Sequence, residues 1–497
     1  MHTTRVPWRR RTALLSAMAA GAIVLADVLF YRQPVGWTLG LYVALLLMAV
    51  TLRSSGYLRT WAGAVLAAAE VGLIIALVIE PTPMAVGLSM IGLVMIAATD
   101  RGGWTASVTR WFVRGVEFIV MALAGPIRDS RLAKRWARRR DTQAAADDRA
   151  NPALAALLTA VRWLVPVLLT LVFIGLFAAA NPLIERLVRS VRLDWLDVSA
   201  ARIMLWLAAG AGTWSLLRTR WRREQRATAT PSPAPPTLAT RLWDRVAGAG
   251  LVVRCLILFN AVFAVQTVLD LIYLYGGAAL PEGMTYAEYA HRGAYPLVVT
   301  ALLAAGFVLA AFRPRGPADV SPLARRLVYL WLGQNVMLVA SAAWRLGLYV
   351  DVYSLTRLRV AAAIWMLIVA LGLIWIAWRI LAGRDNRWLV RANVLTAAVV
   401  LYACALINFD GLIADFNVRH CREVRGEGVA LDTDYLLDLG PEALPAVAWF
   451  EAHAPEASAT GTNIHAVRSL LSHELAHRTR SWRGWTWRRH HLRALAL

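Results

Sequence analysis

The feature that most limits how this chain can fold is a succession of apolar stretches, most of them close to twenty residues long, separated by short arginine-bearing turns. A helix of that length reaches across the ~30 Å hydrocarbon core of a bilayer, and within lipid a helix satisfies all of its own backbone hydrogen bonds. The expected class is all-α: a multi-pass transmembrane helix bundle of about eleven spans, followed by a small helical extracytoplasmic C-terminal tail.

Composition supports that class. Of 497 residues, 59% are hydrophobic and 17% charged, and the mean hydropathy of +0.52 excludes an ordinary soluble globule. The net charge of +22 comes almost wholly from arginine, with Lys134 the only lysine, a bias in keeping with a GC-rich bacterial genome. These arginines cluster in short loops beside apolar runs. That is the pattern of topology signals rather than of a nucleic-acid surface, so no nucleic-acid partner is expected. Cys255 and Cys404 lie inside apolar runs and Cys421 just beyond one, which offers neither a disulfide framework nor a CxxC metal site.

Taken in order, Arg5 and Arg9 to Arg11 precede a first span from Thr12 to Tyr31, read as a retained helix rather than a cleaved signal. Further spans follow at Trp37 to Leu52, Trp61 to Ile79 and Met84 to Thr99, with Arg53 and Arg59 marking a cytoplasmic turn. Trp104 to Leu123 reads as an in-plane amphipathic segment and Ile127 to Asn151 as a basic cytoplasmic linker. Ala156 to Ala180 and Ser199 to Leu217 form a helix pair around an external connection at 181 to 197. Arg218 to Arg226 and the proline-rich ATATPSPAPPT at 227 to 237 then make the clearest boundary.

The second half has spans at Gly248 to Tyr275, Leu297 to Phe312, Leu327 to Ala343, Val360 to Ile380 and Val394 to Ile407. This order divides the chain into N-terminal membrane helices (1–125), a basic linker (126–152), a helix pair (153–217), a second linker (218–247), a core membrane domain (248–407) and the tail (408–497). With the N-terminus in the cytoplasm of a bacterial inner membrane, an odd number of spans leaves the C-terminus outside it.

Polar residues inside these spans mark a candidate membrane site. Asn260, Gln266 and Asp270 recur at spacings of six and four, which puts them within about a third of a helix circumference. They serve either helix-to-helix hydrogen bonding or a substrate or ion path, and Gln334 and Asn335 extend the set. WRLGLYVDVYSLTRLR, residues 344 to 359, reads as a polar hairpin between two apolar segments, carrying Arg345, Tyr349, Tyr353 and Arg357. Charges at that depth need partners, and Asp270 is the expected partner of Arg345.

In the tail, His473-Glu474-Leu475-Ala476-His477 is a literal H-E-x-x-H, which on a helix presents two imidazoles one turn apart and a glutamate to activate zinc-bound water. Its surroundings argue against that chemistry. No acidic residue follows Glu474, and Arg483 occupies the place of a third histidine. No catalytic residue, metal or cofactor is expected, with a zinc hydrolase using His473, His477 and Glu474 as the alternative. The last twenty residues combine six arginines with Trp482, Trp485 and Trp487, a composition that favours anionic lipid head groups.

Five stretches carry a family resemblance: Gln266 to Asp270 with LPEGMTYAEYAHRGAYPL, the RLGLYVDVYSLTRLR turn, NFDGLIADFNVRH at 408 to 420, LDTDYLLDLGPEALPAV at 431 to 447, and WRGWTW. With these the chain, from Gly248 onward, resembles bacterial membrane proteins of domain of unknown function 4173 and its 4153 relative. The resemblance implies a polytopic inner-membrane domain with a helical tail and implies no reaction. The expected role is non-enzymatic, in envelope transport, sensing or assembly, with the protein partner left open.

Overall fold

A computed structural model describes residues 8–53, 61–99, 114–116, 118, 200–218, 249–270, 272, 322–455 and 463–496. The regular elements named along these residues are all helices. The expectations for most of 104–123, for 127–151, 156–180, 181–197 and 227–237, and for 276–296 and 297–312 fall outside the described residues.

Two compact units divide the chain: Met1–Glu224 with Arg478–Trp487, and Gln225–His477 with Arg488–Leu497. In the first, α1 (Trp8–Phe30) packs on α5 (Ala200–Arg218), and α3 (Trp61–Ile79) packs between α2 (Trp37–Arg53) and α4 (Pro83–Thr99). In the second, α6 (Ala249–Asp270), α7 (Pro322–Tyr353), α8 (Arg357–Leu381) and α9 (Asn386–Leu406) pack in sequence. Asp385 starts α9 by accepting from the Trp388 amide at 2.8 Å.

Four of these helices, α3, α7, α8 and α9, are long and apolar enough to cross a membrane. Shorter apolar helices lie at Ser16–Phe30, Trp37–Leu52, Pro83–Ala98 and Val253–Val265. α8 makes the case for lipid most directly. Only 6% of its most apolar window is buried, and Leu358, Trp365, Leu367, Ile374, Trp378 and Leu381 are exposed. An apolar surface of that extent is not tolerated in water, and it marks a membrane protein.

α7 corrects one expectation. The span expected to end at Ala343 continues as helix to Tyr353. At 1.5 Å per residue its 32 residues extend about 48 Å, well beyond the ~30 Å hydrocarbon core, so a helix of this length has room for a polar end. The supposed hairpin is a three-residue turn, Ser354-Leu355-Thr356. α9 likewise begins before the expected Val394, and Arg387 and Arg391 sit in its first turns.

After α9 the described residues form six short α-helices: α10 (Phe409–His420), α11 (Arg422–Arg425), α12 (Thr433–Leu439), α13 (Leu444–His453), α14 (Ile464–Arg478) and α15 (Trp487–Ala496). Ile413, Val418, Leu436, Phe450, Ile464, Leu471 and Leu475 fill one core among them, which Leu492 joins. Asn408 and Asp432 cap α10 and α12 through the amides of Gly411 and Tyr435. Gly440 turns the chain after α12 with φ of 79°, a left-handed conformation in which a side chain would be strained.

Candidate functional site

The turn between α7 and α8 is held from both sides. Ser354 has φ of 64°, uncommon for a residue with a side chain, and the groups around it account for its persistence. Arg359 reaches back to the carbonyls of Tyr353, at 2.5 Å, and Ser354, so it satisfies acceptors that the end of α7 leaves without helical partners. Its guanidinium lies 4.5 Å from the ring centroid of Tyr349 and 5.9 Å from that of Tyr353, and the two rings are 4.8 Å apart.

From the other side the C-terminal helices grip the turn. Arg357 Nε donates to Asp410 Oδ1 at 2.7 Å, Nη1 to Asp438 Oδ2 at 2.9 Å and Nη2 to the Asp438 carbonyl at 3.0 Å. Its backbone amide donates to the Tyr435 hydroxyl at 2.8 Å. Asn417 acts as a surrogate backbone: its Oδ1 accepts from Leu355 N at 2.7 Å, and its Nδ2 donates to Leu355 O at 2.9 Å. Asn417 is 6% exposed, whereas the Arg357 side chain is 43% exposed. The buried amide is therefore the stronger fastening, because an exposed ion pair gains little in water.

The remaining expected site residues lie elsewhere. Asn260 Nδ2 donates to the carbonyls of Leu256 and Leu327, and Gln334 Nε2 to that of Asn260, so these two tie α6 to α7. Asn335 bonds back to Trp331 O on its own helix. The Asn260 and Gln334 bonds join two helices, beside a core of Leu256, Phe263, Val328 and Trp331. Gln334 and Tyr353, 19 residues apart, are separated by roughly 28 Å along α7, so the polar residues group at two places. Arg345 is buried on α7; the side chains of Gln266 and Asp270, and with them the expected pairing, lie outside the described residues.

His473 and His477 are exposed on α14, on the side away from buried Leu471 and Leu475, with Glu474 half-buried. Among the described residues no group of three His, Cys, Asp or Glu is placed to hold a metal. The motif thus has, among the described residues, two of the ligands that a catalytic zinc needs and no third beside them.

Three arrangements in the first unit went unread in the sequence. Asp27 receives both Nε and Nη2 of Arg202 at 2.7 Å and Trp206 Nε1 at 2.8 Å, while Arg202 also stands over the ring of Tyr31. Glu70, within the apolar α3, receives Ser89 Oγ of α4 at 2.6 Å. The closing WRGWTW stretch packs onto the connections that follow α1 and α3: Trp37 N donates to Trp485 O at 2.9 Å, and Trp37 Nε1 to Trp482 O at 3.0 Å. Buried Thr486 donates to buried Glu80 Oε2 at 2.7 Å. Gly36 and Gly484 make this approach possible. A Cβ on Gly36 would fall 2.5 Å from the carbonyl oxygens of Arg483 and Trp485, and one on Gly484 would meet Pro34 at 2.8 Å. Residues separated by more than 400 positions carry no local signal of such contact.

No curated protein and no solved structure matches this chain. The family model for DUF4153, a domain of unknown function, matches residues 43–449. The match takes in the N-terminal half, which the resemblance had left out, and stops short of both HELAH and WRGWTW; of the two families expected, 4153 is the one shown. The chain belongs to the DUF4153 family, a domain of unknown function.

Proposed function

We propose that this chain is a multi-pass protein of the bacterial inner membrane, with about eleven spans, whose C-terminal helices form an extracytoplasmic recognition surface in envelope transport, sensing or assembly. The observation that carries the reading is the grip on the α7–α8 turn. Asn417 and Asp410 of α10, with Asp438 and Tyr435 of α12, converge on Leu355 and Arg357. A folded, helix-capped unit held so firmly to one turn is suited to presenting a surface to a partner.

Sidedness is supported by arginine placement and by the first unit. With the N-terminus inside, the connections at 31–36 and 80–82 fall outside, and these are the ones that residues 482–486 pack against. Anionic lipid head groups are the proposed partner of the last twenty residues. Trp482 and Trp487 are exposed, and Arg478 to Arg493 come without any acidic residue. A thermal-shift screen of the purified protein against lipids, ions and envelope precursors tests the recognition role. A stabilising ligand should lose its effect when exposed residues of α10 to α14 are changed; an equal shift in a chain truncated after Ile407 would overturn the assignment.

A further inference from the structure

Glu70 stands midway along α3, a helix whose other residues are all uncharged and mostly apolar. It is 1% exposed, and Ser89, opposite it on α4, is fully buried. One carboxyl oxygen, Oε1, accepts a hydrogen bond from Ser89 Oγ at 2.6 Å. The other, Oε2, has no hydrogen-bond partner among the described residues. It occupies the space that a side chain on Gly92 would need, since a Cβ there would run into it. The chain has thus shaped a notch on α4 around one carboxyl group.

Among the described residues no cation is positioned to balance an ionised form. α4 contains no titratable side chain, and α2, the other described helix packed closely on α3, contains only Tyr42 and Arg53. Gly40 lies against Ile74, Leu77 and Val78. At 1.5 Å per residue this register puts Tyr42 roughly 6 Å short of the level of Glu70 and Arg53 roughly 10 Å past it. A carboxylate in the middle of a bilayer with one neutral donor and no counter-charge is far less stable than the neutral acid.

We propose that Glu70 is a proton-binding site of the first unit: the carboxyl keeps its proton at neutral pH, seated between Ser89 and the Gly92 notch within the membrane helices. The proton is the ligand, and Ser89 fixes the carboxyl that carries it. The inference rests on α3 crossing the bilayer, which reporter fusions judge independently.

Infrared spectroscopy of the full-length protein in lipid tests it, because a protonated carboxyl has a carbonyl stretch resolved from that of an ionised carboxylate. The band should be present at pH 8, be lost in Glu70→Gln, and move to higher frequency in Ser89→Ala, which removes a hydrogen-bond partner and is the variant that decides should Glu70→Gln fail to accumulate. Absence of the band at pH 8 in the unaltered protein would overturn the proposal. So would a band that Ser89→Ala leaves in place, or one that disappears on adding sodium at constant pH, which would make the site one for a metal cation.

Discussion

Asn417→Ala should loosen the C-terminal helices more than Arg357→Ala, although Arg357 makes more bonds and carries the charge. Asn417 completes both backbone groups of Leu355 from a site 6% exposed, so its removal loses two hydrogen bonds and strands a part-buried amide and carbonyl. At about 1 kcal/mol per bond, with part of the desolvation penalty added, the cost is about 2–3 kcal/mol, or a factor on the order of 30–150 in the opening equilibrium. Arg357 and its partners Asp410 and Asp438 are between a third and two-thirds exposed, so water replaces what is lost. That cost is about 1 kcal/mol, a factor of roughly 5. Cys421 supplies the assay. It is 3% exposed in the core of these helices, and burial pushes its thiol up to about 11, so at pH 7.5 it reacts with maleimide only when the core opens. With Cys255 and Cys404 replaced by alanine, the labelling rate should rise steeply in Asn417→Ala and modestly in Arg357→Ala. Equal rates in the two variants, or a larger rise in Arg357→Ala, would refute the reasoning.

Three further outcomes are expected. Gly484→Ala, which forces a Cβ against Pro34, should expose Arg480 and Arg483 to trypsin in the purified protein, and Gly36→Ala should do the same; unchanged digestion would count against the packing of this segment. Arg202→Lys keeps the charge but not the fork on Asp27, so it should lower stability in detergent by about 1 kcal/mol, and a double-mutant cycle with Asp27→Asn should show strong coupling rather than additive effects. A synthetic peptide of residues 478–497 should show a blue shift of tryptophan fluorescence with anionic vesicles that weakens in high salt, and the absence of any shift would remove lipid as the partner of this segment.

What the sequence made legible follows from what hydropathy measures. α3 and α8 were bounded closely because nearly every residue in them is apolar. α7 was cut short at Ala343 because hydropathy reports contact with lipid, whereas helicity continues through polar residues until a turn such as Ser354 ends it. The charged turn was legible as a joint, since arginines beside a membrane need partners; which partners they found was not, because Asp410, Asn417 and Asp438 are brought to it by the folding of the C-terminal helices. Glu70 passed unread for the opposite reason. One carboxylate barely lowers the hydropathy of α3, and its significance lies in Ser89 and the Gly92 notch on the next helix. HELAH shows the converse: its spacing is legible in the sequence, but whether a third ligand stands beside it depends on the fold, and none does among the described residues.

The most direct measurement is topology in living bacteria, with alkaline phosphatase and green fluorescent protein fused in turn after Arg139, Asn417 and Leu497. Phosphatase should be active after Asn417 and Leu497 and inactive after Arg139, with fluorescence reversed at each point. Fluorescence together with inactive phosphatase at Asn417 and Leu497 would put the C-terminal helices in the cytoplasm and contradict the account.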